Sequence, residues 1–106
     1  MKLIKITESL RNNTIEELIE NNSITIKYDL IDIYAIDALG LESEYYFLNA
    51  EEVPGTRIFE EEGIKYENLC PLSMLEDLVS DFTNQNPRIS HLELAERVLD
   101  YIENDA

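Results

Sequence analysis

The sequence predicts an α+β fold: a small antiparallel sheet of three to five strands covered on one face by helices, two of them C-terminal. Three observations predict it. Apolar residues recur with a period of two from Ser23 onward, and two long helical patterns with start signals fill the stretch from Ser73 to Asn104. At 106 residues, with 44% hydrophobic and 8% aromatic content, the chain suits one folded domain spanning 1–106, whereas a disordered acidic tail carries few aromatics.

The elements follow in chain order. Residues 2–10 carry two patterns at once: they alternate for a few positions, yet Leu3, Ile6 and Leu10 lie at helical spacing, so strand and helix both stand open. Thr14 and Glu17 have the spacing of a capping box and predict a short helix from Ile15, with Ile15, Leu18 and Ile19 on one face and Asn21 and Asn22 ending it. From Ser23, Ile24, Ile26, Tyr28 and Leu30 alternate with Thr25, Lys27 and Asp29, which predicts a strand with one face buried.

Beyond Leu30 two readings compete. As a strand, 31–38 is apolar on both faces and therefore central; as a helix, Leu30, Ile31, Tyr34, Ala35 and Ala38 form one stripe and Gly40 its C-cap. The strand is preferred because isoleucine is abundant and because Glu44 to Asn49 supplies a second, aromatic strand to pair with it.

Arg57 to Tyr66 reads as a hairpin in which Gly63 provides the positive φ of the turn and Glu60, Glu61 and Glu62 sit at the tip. Ser73 with Glu76, and Ser90 with Glu93, are capping-box pairs. The first opens a helix with Met74, Leu75, Leu78, Val79 and Phe82 inside, the second a helix with Leu92, Ala95, Val98, Leu99 and Ile102 inside. The expected order is a helix, an antiparallel meander, then two helices covering one sheet face while the other stays wet.

Charge narrows the function. Asp and Glu number 23 against 8 Lys and Arg, a net charge of −15. Dividing the chain after Val53 leaves 11 acids and 4 bases before the cut and 12 acids and 4 bases after it, so the acidity decorates the whole domain and is not a detachable arm. Such a field repels phosphate backbones and anionic membranes, which argues against direct nucleic-acid or membrane binding and favours a basic protein partner. The competing reading is that the charge serves solubility alone. No apolar run approaches the ~20 residues needed to span a bilayer, and a single cysteine, Cys70, in apolar company reads as a buried thiol. A cytoplasmic location is expected.

Residues for chemistry are scarce. The only histidine, His91, sits beside helix-start residues, so an ordinary helix-terminal role accounts for it better than a nucleophile's base does. One His and one Cys make a transition-metal site improbable, no Asp-rich calcium loop is present, and Gly40, Gly55 and Gly63 are isolated rather than gathered into a phosphate loop. No cofactor is implied.

What remains is a surface. Glu42, Glu44, Glu51, Glu52, Glu60, Glu61, Glu62 and Glu67 are interleaved with Tyr45, Tyr46, Phe59 and Tyr66 between positions 42 and 67, and only Arg57 and Lys65 oppose them. Carboxylates among tyrosines suit a protein-binding face, since tyrosine offers rigid amphipathic area and carboxylates pair with arginine. The alternative is that the aromatics fill the core and the glutamates occupy the solvated parity of two strands. The expected function is a non-enzymatic inhibitor of the immunity or antitoxin type that occludes the active site of a basic toxin such as a nuclease. An adaptor or subunit joining a larger assembly through the helix pair 73–104 is the second expectation.

Overall fold

A computed structural model describes residues 1–104. They form helices α1 (Leu3–Arg11), α2 (Ile15–Asn21), α3 (Leu72–Gln85) and α4 (His91–Asn104) and strands β1 (Ile31–Ile36), β2 (Tyr45–Asn49), β3 (Ile58–Glu61) and β4 (Ile64–Pro71). The four strands make one antiparallel sheet in the order β2-β1-β4-β3, packed against helices that include the two C-terminal ones, so the α+β class is correct.

At the N-terminus the helical period wins. Leu3, Ile6 and Leu10 are buried along one face of α1, which packs on α3 and α4 and completes the helical layer. In the last turn of α1, Arg11 donates from both terminal nitrogens to Ile89 O (2.6 Å) and Pro87 O (2.9 Å), tying the α3–α4 connection to α1. The planar guanidinium suits two carbonyls that a turn presents side by side.

The strand expected over 23–30 does not form. The stretch is an irregular strap closed by a 3₁₀ turn at Tyr28–Leu30. Its alternation has a different cause: Ile24, Ile26 and Tyr28 pack partly buried against the core while Thr25, Lys27 and Asp29 face solvent. An extended segment laid over a core produces a period of two without any ladder partner. Tyr28 Oη fastens the strap by donating to Glu76 Oε2 at 2.6 Å.

The strand reading of 31–38 is correct for Ile31–Ile36, and β1 is central, paired with β2 on one edge and β4 on the other. The sheet is therefore not a meander. In a meander without a strand over 23–30, the most apolar strand would form an edge with unpaired backbone groups; docking the second hairpin beside β1 supplies the missing partner. A bulge between Ile33 and Tyr34 in the β1–β4 ladder leaves Leu69 as an extra residue. Leu69 and Cys70 are consequently both buried under the helices.

The hairpin β3–β4 closes through Glu62 (φ 53°) and Gly63 (φ 80°), the two positive φ values of a type I′ turn. Glu62 alone of the three glutamates is at the tip; Glu60 and Glu61 lie within β3 and point to opposite faces. Helix α2 starts at Ile15 as expected, α3 starts at Leu72, ahead of the Ser73 cap that the sequence places there, and neither capping box forms. Thr14 and Pro71 are the N-cap residues and neither makes a side-chain cap, Thr14 Oγ1 instead reaching Ser9 O at 3.4 Å. Only Ser90 caps as expected, its Oγ accepting the Glu93 N–H at 3.1 Å.

Candidate protein-binding face

Strand register sorts the sheet residues into two sets. Ile31, Ile33 and Ala35 with Tyr45, Phe47 and Cys70 face the helices and are buried in the main core. The opposite parity, Tyr34 and Ile36 with Tyr46, Leu48 and Tyr66, forms the open face. Across this face Tyr34 meets Phe59 edge-on at 5.3 Å, and Phe59 stacks on Tyr66 at 5.0 Å with 18° between the rings. Tyr34 and Phe59 are buried but lie outside the main core, so this face has a small aromatic cluster of its own.

The connection from β2 to β3 makes that burial possible. Because β1 and β4 lie between β2 and β3, residues 50–57 must cross the sheet, and they do so over the open face. Val53 is the half-buried residue of this crossing. It lines one cavity with Tyr34, Asp32 and Asn68, and a second, of about 280 Å³, with Leu48, Phe59 and Tyr66. Asn49, Glu52, Glu61 and Glu62 complete the lining of the second cavity. Beyond the crossing, Tyr46 and Ile64 remain 45% and 39% exposed. The helices do not extend over β3, so the β3–β4 hairpin projects from the domain with Ile58, Glu60 and Lys65 exposed on its other side.

The candidate residues separate into distinct environments. Glu51, Glu52, Glu60, Glu61 and Glu62 are exposed around the crossing and the hairpin. Glu42 and Glu44 are exposed at the end of the β1–β2 connection, where the Glu42 carbonyl accepts from Lys2 Nζ (2.6 Å) and Glu44 pairs with the N-terminal ammonium. That ammonium, through a hydrogen bond and its charge, holds the Glu44 carboxyl below its ordinary range. Glu67 is half-buried and structural: Oε1 accepts the Leu39 N–H at 2.8 Å and Oε2 pairs with Arg57 at 3.3 Å.

Tyr45 belongs to the core. It is 0% exposed, and its hydroxyl donates to Gly40 O at 2.7 Å. The outward residue of the pair is Tyr46. Adjacent strand positions oppose one another, so the sequence shows that one of the two tyrosines is inside but not which. Ile36 and Ile64 escape a search guided by charge, since only strand register puts them on the open face with Glu61.

Among the described carboxylates only those of Glu44 and Glu67 form ion pairs. Several cations are otherwise engaged: Arg11 on backbone carbonyls, and Arg97 over the Phe82 ring at 5.0 Å. Burial raises the phenol pKa of Tyr34, with the nearby Asp32 carboxylate adding to the effect, and pushes the Cys70 thiol up to about 12. Among the described residues no three His, Cys, Asp or Glu side chains gather where they could hold a metal ion, and no helix is long and apolar enough to cross a membrane. No protein-family model matches the chain, and no curated protein or solved structure is significantly similar to it.

Proposed function

We propose that this chain is a non-enzymatic protein that binds a basic protein and neutralises it, in the manner of an immunity protein or antitoxin that occludes a toxin's active site. A nuclease is the natural target, because a surface that grips phosphates must be cationic. The observation that carries the reading is the state of the carboxylates. A folded domain with net charge −15 pairs only two of its described carboxylates with its own cations, and most of the others are exposed. Mutual repulsion among them works against the compact state, so a cationic partner relieves a strain that the fold itself bears. The reading implies a cytoplasmic protein without a cofactor.

The test is capture of the partner with the intact chain, the neighbouring open reading frame being the first place to look, followed by association rates across a salt series. The on-rate falls steeply with salt, and reversing Glu60, Glu61 and Glu62 to Lys slows association while leaving the melting temperature within about 2 °C, as expected for exposed positions. A complex that forms equally fast at molar salt refutes the proposal. A second reading, an adaptor docking through its C-terminal helices, draws on Leu92, 48% exposed on α4, and on a groove of about 600 Å³ beside Leu41 and Leu99. Glu93, Glu96, Asp100 and Glu103 also line that groove. Weak salt dependence together with loss of binding on Leu92→Asp favours the adaptor.

A further inference from the structure

We infer that the cleft between the chain crossing and the β3–β4 hairpin receives an arginine side chain of the basic partner. The inference rests on the proposed function and sharpens it from a diffuse field to one site. The wall of the cleft is the half-buried Tyr66, whose ring is held by stacking on Phe59, itself fixed edge-on by Tyr34. Val53 closes the crossing side with Leu48 and Asn49 on the lining beside it, and Glu52, Glu61 and Glu62 supply the carboxylates. The volume, about 280 Å³, suits one long side chain and not a folded segment.

The chemistry of the lining selects the occupant. An aromatic ring beside carboxylates matches a guanidinium, which is flat enough to stack on the ring and carries a fork of donors for the carboxylates, while its apolar stem lies against Val53. A lysine ammonium is a compact point charge and exploits the ring less well. The chain does not fill the site itself: no Lys or Arg lines it, Arg57 is paired with Glu67, and Lys65 points to the other face of the hairpin. A second copy is a poor occupant because each brings a net charge of −15.

The test uses fluorescently labelled nona-arginine and nona-lysine peptides, equal in charge, titrated with the full chain at low ionic strength. Nona-arginine is expected to bind about three-fold tighter or more, the increment of a partly desolvated cation–π contact. Tyr66→Leu brings the two peptides to parity, and the triple variant E52Q/E61Q/E62Q weakens arginine binding more than lysine binding. An equal loss of charge on α2, E16Q/E17Q/E20Q, weakens both peptides alike and leaves the preference intact. Parity in the unaltered chain overturns the inference, as does a preference that survives in a folded Tyr66→Leu chain. Should that variant not fold, survival of the preference in E52Q/E61Q/E62Q overturns it. Salt-sensitive binding without a preference removes this inference alone; no binding of either peptide removes the proposed function with it.

Discussion

Tyr45→Phe separates a core anchor from a contact residue by deleting one oxygen atom. The ring is fully buried against the helices, and phenylalanine keeps its volume, so no cavity larger than the lost hydroxyl is created. What disappears is a two-way link to Gly40: Oη donates to the Gly40 carbonyl at 2.7 Å and accepts the Gly40 N–H at 3.2 Å. Each such neutral hydrogen bond contributes about 1 kcal/mol net, and the Gly40 loop is partly exposed, so water recovers some of the loss. The expected destabilisation is about 1–2 kcal/mol, with a melting-temperature drop of about 4–8 °C for each kcal/mol in a domain of this size. Circular dichroism melting measures the drop, and nona-lysine titration of the same variant measures binding, which stays at the wild-type level. An unchanged melting temperature refutes the assignment of Tyr45 to the core's hydrogen-bonded framework. Lost binding at unchanged stability makes it a contact residue after all.

Two further outcomes follow from backbone and burial. Glu62 holds a left-handed φ in the type I′ turn, a position that asparagine occupies at lower cost, so Glu62→Asn raises stability by about 0.5–1 kcal/mol in chemical denaturation. If the same variant also slows association with the partner, the glutamate is kept at the expense of the turn; a fall in stability contradicts the turn assignment. The buried Cys70 thiol keeps its proton up to about pH 12, whereas the unfolded chain releases it near 9. Between those values the folded state binds more protons than the unfolded state, so stability declines as pH rises through that window. Denaturation midpoints collected across it fall less steeply for Cys70→Ala, and identical slopes for the two proteins place the thiol in contact with water.

Some of this was legible from the residues alone. Helices whose apolar stripe recurs over three or more turns, α3 and α4, were identifiable because the period of 3.6 has no competing explanation at that length. The hairpin β3–β4 was equally plain, since Gly63 marks a turn that few other residues tolerate. The candidate site was only half visible. Its carboxylates are countable in the chain, but the aromatic wall of the cleft depends on which parity of each strand faces the helices. Tyr45 and Tyr46 exchange roles on a shift of one residue.

Local patterns determined the fold class, the main helices, the hairpin and the acidity of the surface, because each arises from residues near one another in the chain. Tertiary structure alone decided that 23–30 straps the core without joining the sheet, that β4 pairs with β1, and that residues 50–57 cross the open face to close the cleft around Tyr66. An alternating segment buries one side equally well against a neighbouring strand or against the surface of a core. The choice between them lies in the partner that chain topology leaves available, and that partner is distant in sequence.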